Sequence, residues 1–444
     1  MRPFRLLLLT LLVVGLFGFI WFYERKVPTT DELREREGKL FPELASDKVT
    51  RVVVHNSHGE FELVKEGGGW KLTKPIKDEA NGGAVSSLIS QVAALKAERT
   101  LQASEVKLAD YGLDQPERWV AVREEGGKEY TVRFGQELPL GNTAAAITDG
   151  RHVYLVSKWV LSDLDKDLAG WRSTDLLPFF SSDVNAITVV APQGRIAAAR
   201  AGSQWQLTEP VADLAEREEV EGILSDLSGA RIKEFLDGAV DLPGLGLAAP
   251  RVSVTLVRKE GAPLTLSFGQ EREKDGMRQV ACLRGERAFW VEASATSHLL
   301  KDPGVFRSGK LLQFSTWQVD KLSVQRGEKK VTVERKEGVW RNEKGEEVES
   351  GPIFSRLSTL ADLKVLAFDQ PQPEGQPLGS VTLVGQEGLE AQASFYPGAE
   401  PDQLLAVVKE RPKALAVDKA KVEEVLAGVE LLGKPQPTAT PSSE

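Results

Sequence analysis

The chain has 444 residues, of which 41% are hydrophobic and 27% are charged, a balance typical of folded proteins and not of disordered ones. At this length we expect two to four domains. The formal net charge of −9 argues against a general nucleic-acid binder, which would need a basic face to neutralise phosphates.

The first predicted element is a signal anchor at residues 1–26. Residues 6–23 (LLLLTLLVVGLFGFIWFY) carry no charge, and a helix of that length spans roughly 27 Å, close to the hydrocarbon thickness of a bilayer. A cleaved signal peptide is the alternative, but no small-x-small cleavage site follows. Because Arg2 and Arg5 favour a cytoplasmic N-terminus, we expect a single-pass protein of the bacterial inner membrane whose ectodomain lies in the periplasm.

A linker at residues 27–39 is followed by three copies of one pattern. The heptapeptide GWKLTKP at 69–75 is repeated as QWQLTEP at 204–210, an interval of 135 residues. Trp340 lies one further interval along the chain. YGLDQP and VRFGQ in the first copy likewise match LGLAAP and LSFGQ in the second. Since the interval is far longer than a solenoid period, we interpret the copies as duplicated domains. The predicted parts are repeat domain 1 (40–175), repeat domain 2 (176–310), a degenerate repeat domain 3 (311–432) and a disordered Pro/Ser/Thr tail (433–444).

Within the first copy, alternating apolar residues predict strands and a 3.6-residue period predicts helices. Turns of two to five residues between the strands imply antiparallel pairing. The sequence therefore predicts an α+β fold: antiparallel sheets with helices packed on one face, each copy built as two halves of strands followed by a helix. The predicted strands are 49–56, 59–66, 67–73, 118–124, 129–135, 142–149 and 152–157, and the predicted helices are 83–99 and 157–170.

Tryptophan, proline and glycine residues recur at equivalent places and are predicted to anchor each repeat. The tryptophan would be buried where the helix packs on its sheet, and the proline would end the strand. A sugar-binding tryptophan platform is the alternative. The predicted structural anchors are Trp70, Pro75, Gly112, Pro116, Trp205, Pro210, Gly246, Pro250 and Trp340.

An arginine is repeated where one copy meets the next, as Arg172 and Arg307. We expect a structural role, in which Arg172 pairs with Asp167 and Arg307 with Asp302. The alternative is an interface that holds an anionic ligand between domains.

The sequence offers no catalytic, cofactor-binding or metal motif. Its one cysteine, Cys282, lies in an apolar stretch and is predicted to be buried. DLDKD at 163–167 fails as a calcium loop, and GLGLAA at 244–249 fails as a dinucleotide fingerprint because no helix follows it. The four histidines lack the spacing of metal ligands.

An N-terminal anchor, W-x-L-x-x-P before a helix, YGL-x-x-P before a strand, and VRFG then VYLV together resemble the uncharacterised domain-of-unknown-function family 4340. The resemblance covers nearly the whole ectodomain, clearly in copies one and two and weakly in copy three. It implies a membrane-anchored envelope protein, as members of this family typically are. Because their genes often neighbour those of a gliding-motility-type ABC transporter, the resemblance also implies an auxiliary role beside such a transporter. It brings no catalytic residues.

Three functions remain open. The first is a non-enzymatic accessory or scaffold component of an ABC-type transport system with a protein partner. The second is a periplasmic ligand- or polysaccharide-binding protein that uses exposed aromatic residues such as Trp119, Trp159 or Trp290. The third is a hydrolase, which no residue spacing supports.

Overall fold

The computed structural model describes residues 36–138, 143–202 and 204–435. The predicted anchor at 1–26 lies outside these residues. Within them, no helix has both the length and the apolar character needed to span a membrane. The chain divides into two compact units, residues 1–174 and residues 175–444.

The first unit contains one antiparallel sheet of nine strands in the order β4-β3-β2-β1-β6-β7-β8-β9-β5. The two predicted halves therefore share one sheet, because β1 pairs with both β2 and β6. The strands are β1 (Val49–Asn56), β2 (Gly59–Glu66), β3 (Gly69–Lys74), β4 (Asp78–Glu79), β5 (Ala97–Gln102), β6 (Arg118–Glu124), β7 (Glu129–Glu137), β8 (Thr143–Ile147) and β9 (His152–Ser157), and the helices are α1 (Gly82–Ala94), α2 (Trp159–Leu164) and α3 (Leu168–Trp171).

Helix α1 begins where the Asn81 side chain accepts a hydrogen bond from the Ala84 amide at 3.1 Å. Its apolar stripe, which includes Val85 and Leu88, is buried against the sheet. The prediction that this helix continues to residue 99 was wrong. Residues 97–102 instead form β5, which pairs with β9 and completes the ladder at that edge.

The second unit contains two further antiparallel sheets. The first of them has the order β13-β12-β11-β10-β15-β16-β17-β18-β14, which repeats the order of the first unit strand for strand. Its strands are β10 (Val184–Ala191), β11 (Gly194–Ala201), β12 (Gln204–Glu209), β13 (Asp213–Leu214), β14 (Ile232–Leu236), β15 (Val252–Arg258), β16 (Leu264–Lys274), β17 (Met277–Arg284) and β18 (Arg287–Glu292), with helix α4 (Arg217–Gly229).

The third sheet has the order β21-β20-β19-β23-β24-β25-β26-β22. At the position that β4 and β13 occupy in the other sheets, this sheet has a single antiparallel β-bridge between Arg341 and Glu347. The degenerate third copy therefore keeps the common topology. Its strands are β19 (Val319–Arg326), β20 (Lys329–Lys336), β21 (Val339–Asn342), β22 (Val365–Gln370), β23 (Gly379–Gly385), β24 (Glu390–Pro397), β25 (Gln403–Val408) and β26 (Ala414–Asp418), and its helices are α5 (Ser350–Ala361), α6 (Lys419–Leu426) and α7 (Val429–Leu432).

The fold continues past residue 432, where the disordered tail was predicted to begin. The Asn342 amide donates a hydrogen bond to the Gly433 carbonyl at 2.9 Å, and Pro435 forms a β-bridge with Val348. Residues 433–435 therefore belong to the third repeat, and the rest of the tail lies outside the described residues.

The repeated tryptophans take equivalent places on β3, β12 and β21. Trp205 and Trp340 are buried, as predicted, whereas Trp70 is half-buried and packs against the edge of its core. Pro75 and Pro210 directly follow the ends of β3 and β12, as expected. The backbone carbonyl of each of these tryptophans also accepts a hydrogen bond of 3.0 Å. The donors are the amide of Ala80 for Trp70, of Ala215 for Trp205 and of Val348 for Trp340.

The Gly-Leu turns pack directly on strands of their own sheets. Gly112 and Gly246 have φ angles of 64° and 69°, which side-chain-bearing residues rarely adopt. A Cβ added at Gly269 in β16 would lie 2.1 Å from the Leu245 carbonyl oxygen, and one at Gly135 in β7 would lie 2.0 Å from that of Tyr111. The turns thus cover the sheet face opposite the helices. Pro116 and Pro250 stand two residues before β6 and β15.

We predict that Gly269→Ala lowers the free energy of unfolding by about 2–4 kcal/mol, because the turn backbone must move away from the new methyl group. Denaturant unfolding followed by tryptophan fluorescence measures the effect. Gly229→Ala, at the end of α4 with no atom within 4 Å of the added Cβ, is the matched control and should be neutral or stabilising. Equal losses in both variants would contradict the close approach.

Candidate functional site

The last residues of each of the first two repeats lie beside the short edge strand of their own sheet. In the first unit, the Ser173 amide donates to the Glu79 carbonyl at 2.9 Å, and the Asn81 amide to the Trp171 carbonyl at 2.8 Å. In the second unit, the Ser308 amide donates to Leu214 at 2.9 Å. We call residues 171–173 the first linker strand and residues 306–308 the second linker strand.

In the second unit the chain then continues along the third sheet. The Leu311 amide donates to the Leu363 carbonyl, and the Val365 amide to the Gly309 carbonyl, both at 2.8 Å. Residues 306–311 are therefore hydrogen-bonded first to the β13 edge and then at the start of β22. The two sheets of this unit are joined edge to edge through one short segment.

Arg172 of the first linker strand is buried, with 2% of its side chain exposed. Its Nε donates to Oδ2 of Asp78 at 2.6 Å. The expected partner, Asp167, instead accepts from the Gly170 amide at 2.9 Å and caps α3. Asp302, expected beside Arg307, likewise accepts from the Gly304 amide at 2.7 Å.

Arg307 of the second linker strand joins carboxylates from two repeats. Its Nε donates to Asp213 on β13, and its Nη1 and Nη2 donate to the two carboxylate oxygens of Asp369 on β22 at 2.7 and 3.0 Å. Arg307 lowers the pKa of Asp369 through this hydrogen bond. This bidentate geometry fixes both the distance and the relative orientation of the Arg307 guanidinium and the Asp369 carboxylate.

A second guanidinium completes this group, which we call the ionic junction (Asp213, Arg307, Asp369 and Arg411). Arg411 and Asp213 have no exposed side-chain surface, and the Arg411 Nε lies 2.6 Å from Oδ1 of Asp213. Arg411 also donates to the carbonyls of Lys310 and Ser308 at 2.8 and 3.1 Å. One buried carboxylate is thus shared by two arginines, of which Arg411 also holds the linker backbone.

Beside the ionic junction lies a cleft of about 140 Å³, lined by Glu216, Glu218, Lys310, Gln313 and Gln318 among others. The Glu216 carboxylate accepts from the Ser308 hydroxyl at 3.2 Å and from the Gly309 amide at 3.3 Å. Burial, followed by a hydrogen bond to Glu218, raises the pKa of Glu216 to about 7. The same hydrogen bond lowers the pKa of Glu218, so the two carboxyls share one proton below neutral pH.

The charges of the junction are satisfied within the fold. Each nitrogen group of the Arg307 guanidinium already donates to a carboxylate, so the geometry fits a structural tie better than an open anion site. Asp213, Asp369 and Arg411 did not enter the sequence prediction. The recurrence of aspartate at 78 and 213, at the same interval as the tryptophans, was the available signal.

The aromatic residues proposed for glycan binding differ in exposure. Trp159 is 68% exposed, whereas Trp119 is half-buried and stacks on His55 with ring centroids 5.6 Å apart. Trp290 is only 7% exposed, with the Arg272 guanidinium 3.9 Å from its ring centroid, so its choice as an exposed aromatic was wrong. Among the described residues, three exposed aromatics were missed, Phe180 (80%), Trp317 (55%) and Phe354 (41%).

Cys282 is buried on β17, as predicted, and burial raises the pKa of its thiol. A thiol so protected is a poor nucleophile. Across residues 36–138, 143–202 and 204–435, no three His, Cys, Asp or Glu side chains come close enough to hold a metal ion.

Comparison with known families gives two overlapping matches to one family model, described as Domain of unknown function (DUF4340), at residues 70–241 and 205–380. Together they cover residues 70–380, more than half of the chain. The matches begin at the equivalent tryptophans, Trp70 and Trp205, so each includes a linker strand and the start of the following repeat. No curated protein matches the chain.

We predict that Asp213→Ala lowers the free energy of unfolding of the second unit by about 3–5 kcal/mol, because it leaves buried arginine charges without a partner. Adding Arg411→Met should recover part of this loss. Arg195→Met, which breaks an ion pair whose side chains are 55% and 45% exposed, is the control and should cost less than about 1 kcal/mol. Denaturant titration of all variants makes the comparison, and equal costs for Asp213→Ala and Arg195→Met would contradict the junction.

A second prediction concerns pH. Because the folded-state pKa of Glu216 (about 7) lies above the ordinary 4.5, its contribution to stability is full below pH 4.5 and is lost as pH rises through 7. Glu216→Gln keeps the uncharged form, so relative to it the wild type should lose about 1 kcal/mol between pH 5 and pH 8, after allowance for solvent screening. Glu218→Gln should reduce this slope without abolishing it, since burial is the larger cause. Parallel stability curves for the wild type and Glu216→Gln would refute the assignment.

Proposed function

Since the chain belongs to the family described as Domain of unknown function (DUF4340), we propose that it is a non-enzymatic scaffold of the bacterial envelope. In this proposal its repeats hold a protein partner at a set distance from the membrane. The observation that carries the proposal is the ionic junction, in which Arg307 and Arg411 are bound to carboxylates of the fold. Charges used in this way hold two repeats together, because each nitrogen of the two guanidiniums already donates to a carboxylate or a backbone carbonyl.

The proposed attachment is the apolar segment at residues 6–23, acting as a signal anchor in the inner membrane. The ectodomain would then lie in the periplasm. From the resemblance to anchored envelope proteins encoded beside gliding-motility-type ABC transporters, we propose that the partner is a subunit of such a transport system. The supporting argument is architectural, because three sheets of one topology suit a spacer or scaffold.

Ligand or polysaccharide binding is the second candidate, favoured by a separate observation. Trp159, Phe180 and Trp317 are 68%, 80% and 55% exposed. Exposed aromatic rings provide apolar stacking surface for sugar rings, and their burial on binding would supply affinity. This candidate does not require a transporter.

We predict that the full chain, extracted from native membranes in mild detergent, copurifies with subunits of an ABC transporter. Trp159→Ala/Trp317→Ala is the matched variant, and it should retain the transporter because the proposal does not use these rings. Recovery of the chain without any transporter subunit would contradict the proposal. Glycan binding by the wild type that is lost in the double variant would favour the second candidate instead.

A further inference from the structure

Four side chains form a row across the outer face of the first sheet, the face opposite helix α1. Strand pairing places them side by side in the order Glu60 (β2), His55 (β1), Trp119 (β6) and Arg133 (β7). The residues that follow or precede them on these strands, such as Val54 and Val120, belong to the buried core. Because successive side chains of a strand point to opposite faces, the four residues lie on the outer face. We call them the outer row.

The fold does not require the chemistry of the outer row. The same strand pairing in the second sheet brings together Arg195, Val190, Ser253 and Ser267. In the third sheet it brings together Lys330, Gln325, Ser380 and Ser394. Both sheets keep the common topology with serine at the positions of Trp119 and Arg133. An aromatic pair beside an arginine is therefore a feature of the first repeat that packing does not explain.

His55 and Trp119 offer a surface on which a sugar ring can stack. Their ring centroids are 5.6 Å apart and their planes are 11° from parallel. Both side chains are half-buried, so each ring keeps part of its surface open. The apolar cluster under the Gly-Leu turn lies on β8 and β9, at Ala145 and Val153, so the outer row stands beside the covered part of this face. Aromatic rings of this kind pack against the C–H face of a sugar.

Arg133 places a positive charge next to this aromatic pair. Its side chain is exposed, and its guanidinium forms no ion pair with any residue that the structure describes. Residues directly opposite each other on antiparallel strands have Cβ atoms roughly 5 Å apart, so Arg133 lies within the width of a sugar ring from Trp119. A guanidinium binds a carboxylate through two parallel hydrogen bonds. The arrangement is therefore complementary to a sugar ring that carries a carboxylate.

The charged residues on either side of the outer row already have partners. Arg51 and Glu62 form an ion pair at 2.6 Å, and Arg123 and Glu129 form one at 2.7 Å. The surface open to a ligand is thus about one row of side chains wide. A stable protein interface takes about 800 Å² from each partner, which is far more than one row provides. The small area favours a chain of sugar rings over a protein.

We propose that the outer row is a binding site for an acidic polysaccharide, in which a uronate ring stacks on His55 and Trp119 and its carboxylate binds Arg133. Glu60, at the other end of the row, accepts hydrogen bonds from sugar hydroxyls. This inference goes beyond the proposed scaffold and does not rest on it. It also differs from glycan binding by the exposed rings of Trp159, Phe180 and Trp317, none of which lies in the outer row.

The test is affinity electrophoresis of the full chain in detergent micelles, through gels that contain polygalacturonate. We expect the polymer to retard the wild type, and methyl-esterified polygalacturonate to retard it far less because the ester removes the charge and keeps the ring. Trp119→Ser and Arg133→Ser copy the residues of the second and third sheets. Each should weaken the association with polygalacturonate at least about tenfold.

Trp159→Ser and Arg99→Ser are the matched controls, because Trp159 is 68% exposed on α2 and Arg99 is exposed on β5. Both should bind as the wild type does. Absence of retardation, retardation that survives Trp119→Ser or Arg133→Ser, equal retardation by the methyl ester, or equal losses in the controls would each overturn the inference. Since Arg133 is exposed, Arg133→Ser keeps the test decisive even where Trp119→Ser lowers stability.

The outcome is separable from that of the proposed function. A chain that copurifies with a transporter and ignores polygalacturonate would leave the scaffold standing and defeat this inference. Retardation that depends on Trp119 and Arg133, in a chain that recovers no transporter subunit, would do the reverse.

Discussion

The arrangement of the second unit depends on one buried carboxylate. Asp213 has no exposed side-chain surface and is shared by Arg307 and Arg411, which come from different repeats. Removing such charges from water is costly, and the cost is recovered only where geometry and further hydrogen bonds are good. Arg411 meets this condition by also donating to two linker carbonyls. A displaced linker would leave these charges unsatisfied, so the contact specifies how the second and third sheets join.

The linker strands also solve a problem common to open sheets. An unpaired edge exposes backbone donors and acceptors and invites pairing with other chains. In this protein the edge strands β4 and β13 are only two residues long, and each is covered by a linker strand. Covering an edge and connecting two repeats are thus done by the same residues, which explains why the linker sequence recurs with the sheets.

Much of this fold could be predicted from its sequence because the strands alternate clearly and the copies confirm one another. The predicted strand at 152–157 coincides with β9, and the one at 118–124 with β6. β5 was missed because only Leu95 and Lys96 separate its six residues from helix α1, and neither is a typical turn residue. The partners of the arginines could not be found from local sequence, since 94 residues separate Arg307 from Asp213 and Arg172 from Asp78. Trp290 was wrongly predicted to be exposed. It lies on the sheet face opposite the helices, where exposure depends on whether the Gly-Leu turn covers the side chain.

What the copies do not share bears most on function. Positions facing the core keep their character, as with Val54, Val189 and Val324, all fully buried. On the opposite face the chemistry changes at the same register. The strands β2, β11 and β20 are equivalent, and at one outward position they carry Glu60, Arg195 and Lys330 respectively. Two residues further along they carry Glu62, Ala197 and Thr332. Duplication therefore preserved the packing that forms each sheet and left the outer surfaces to diverge. Distinct surfaces on a common frame support the proposed role of a scaffold that holds a protein partner.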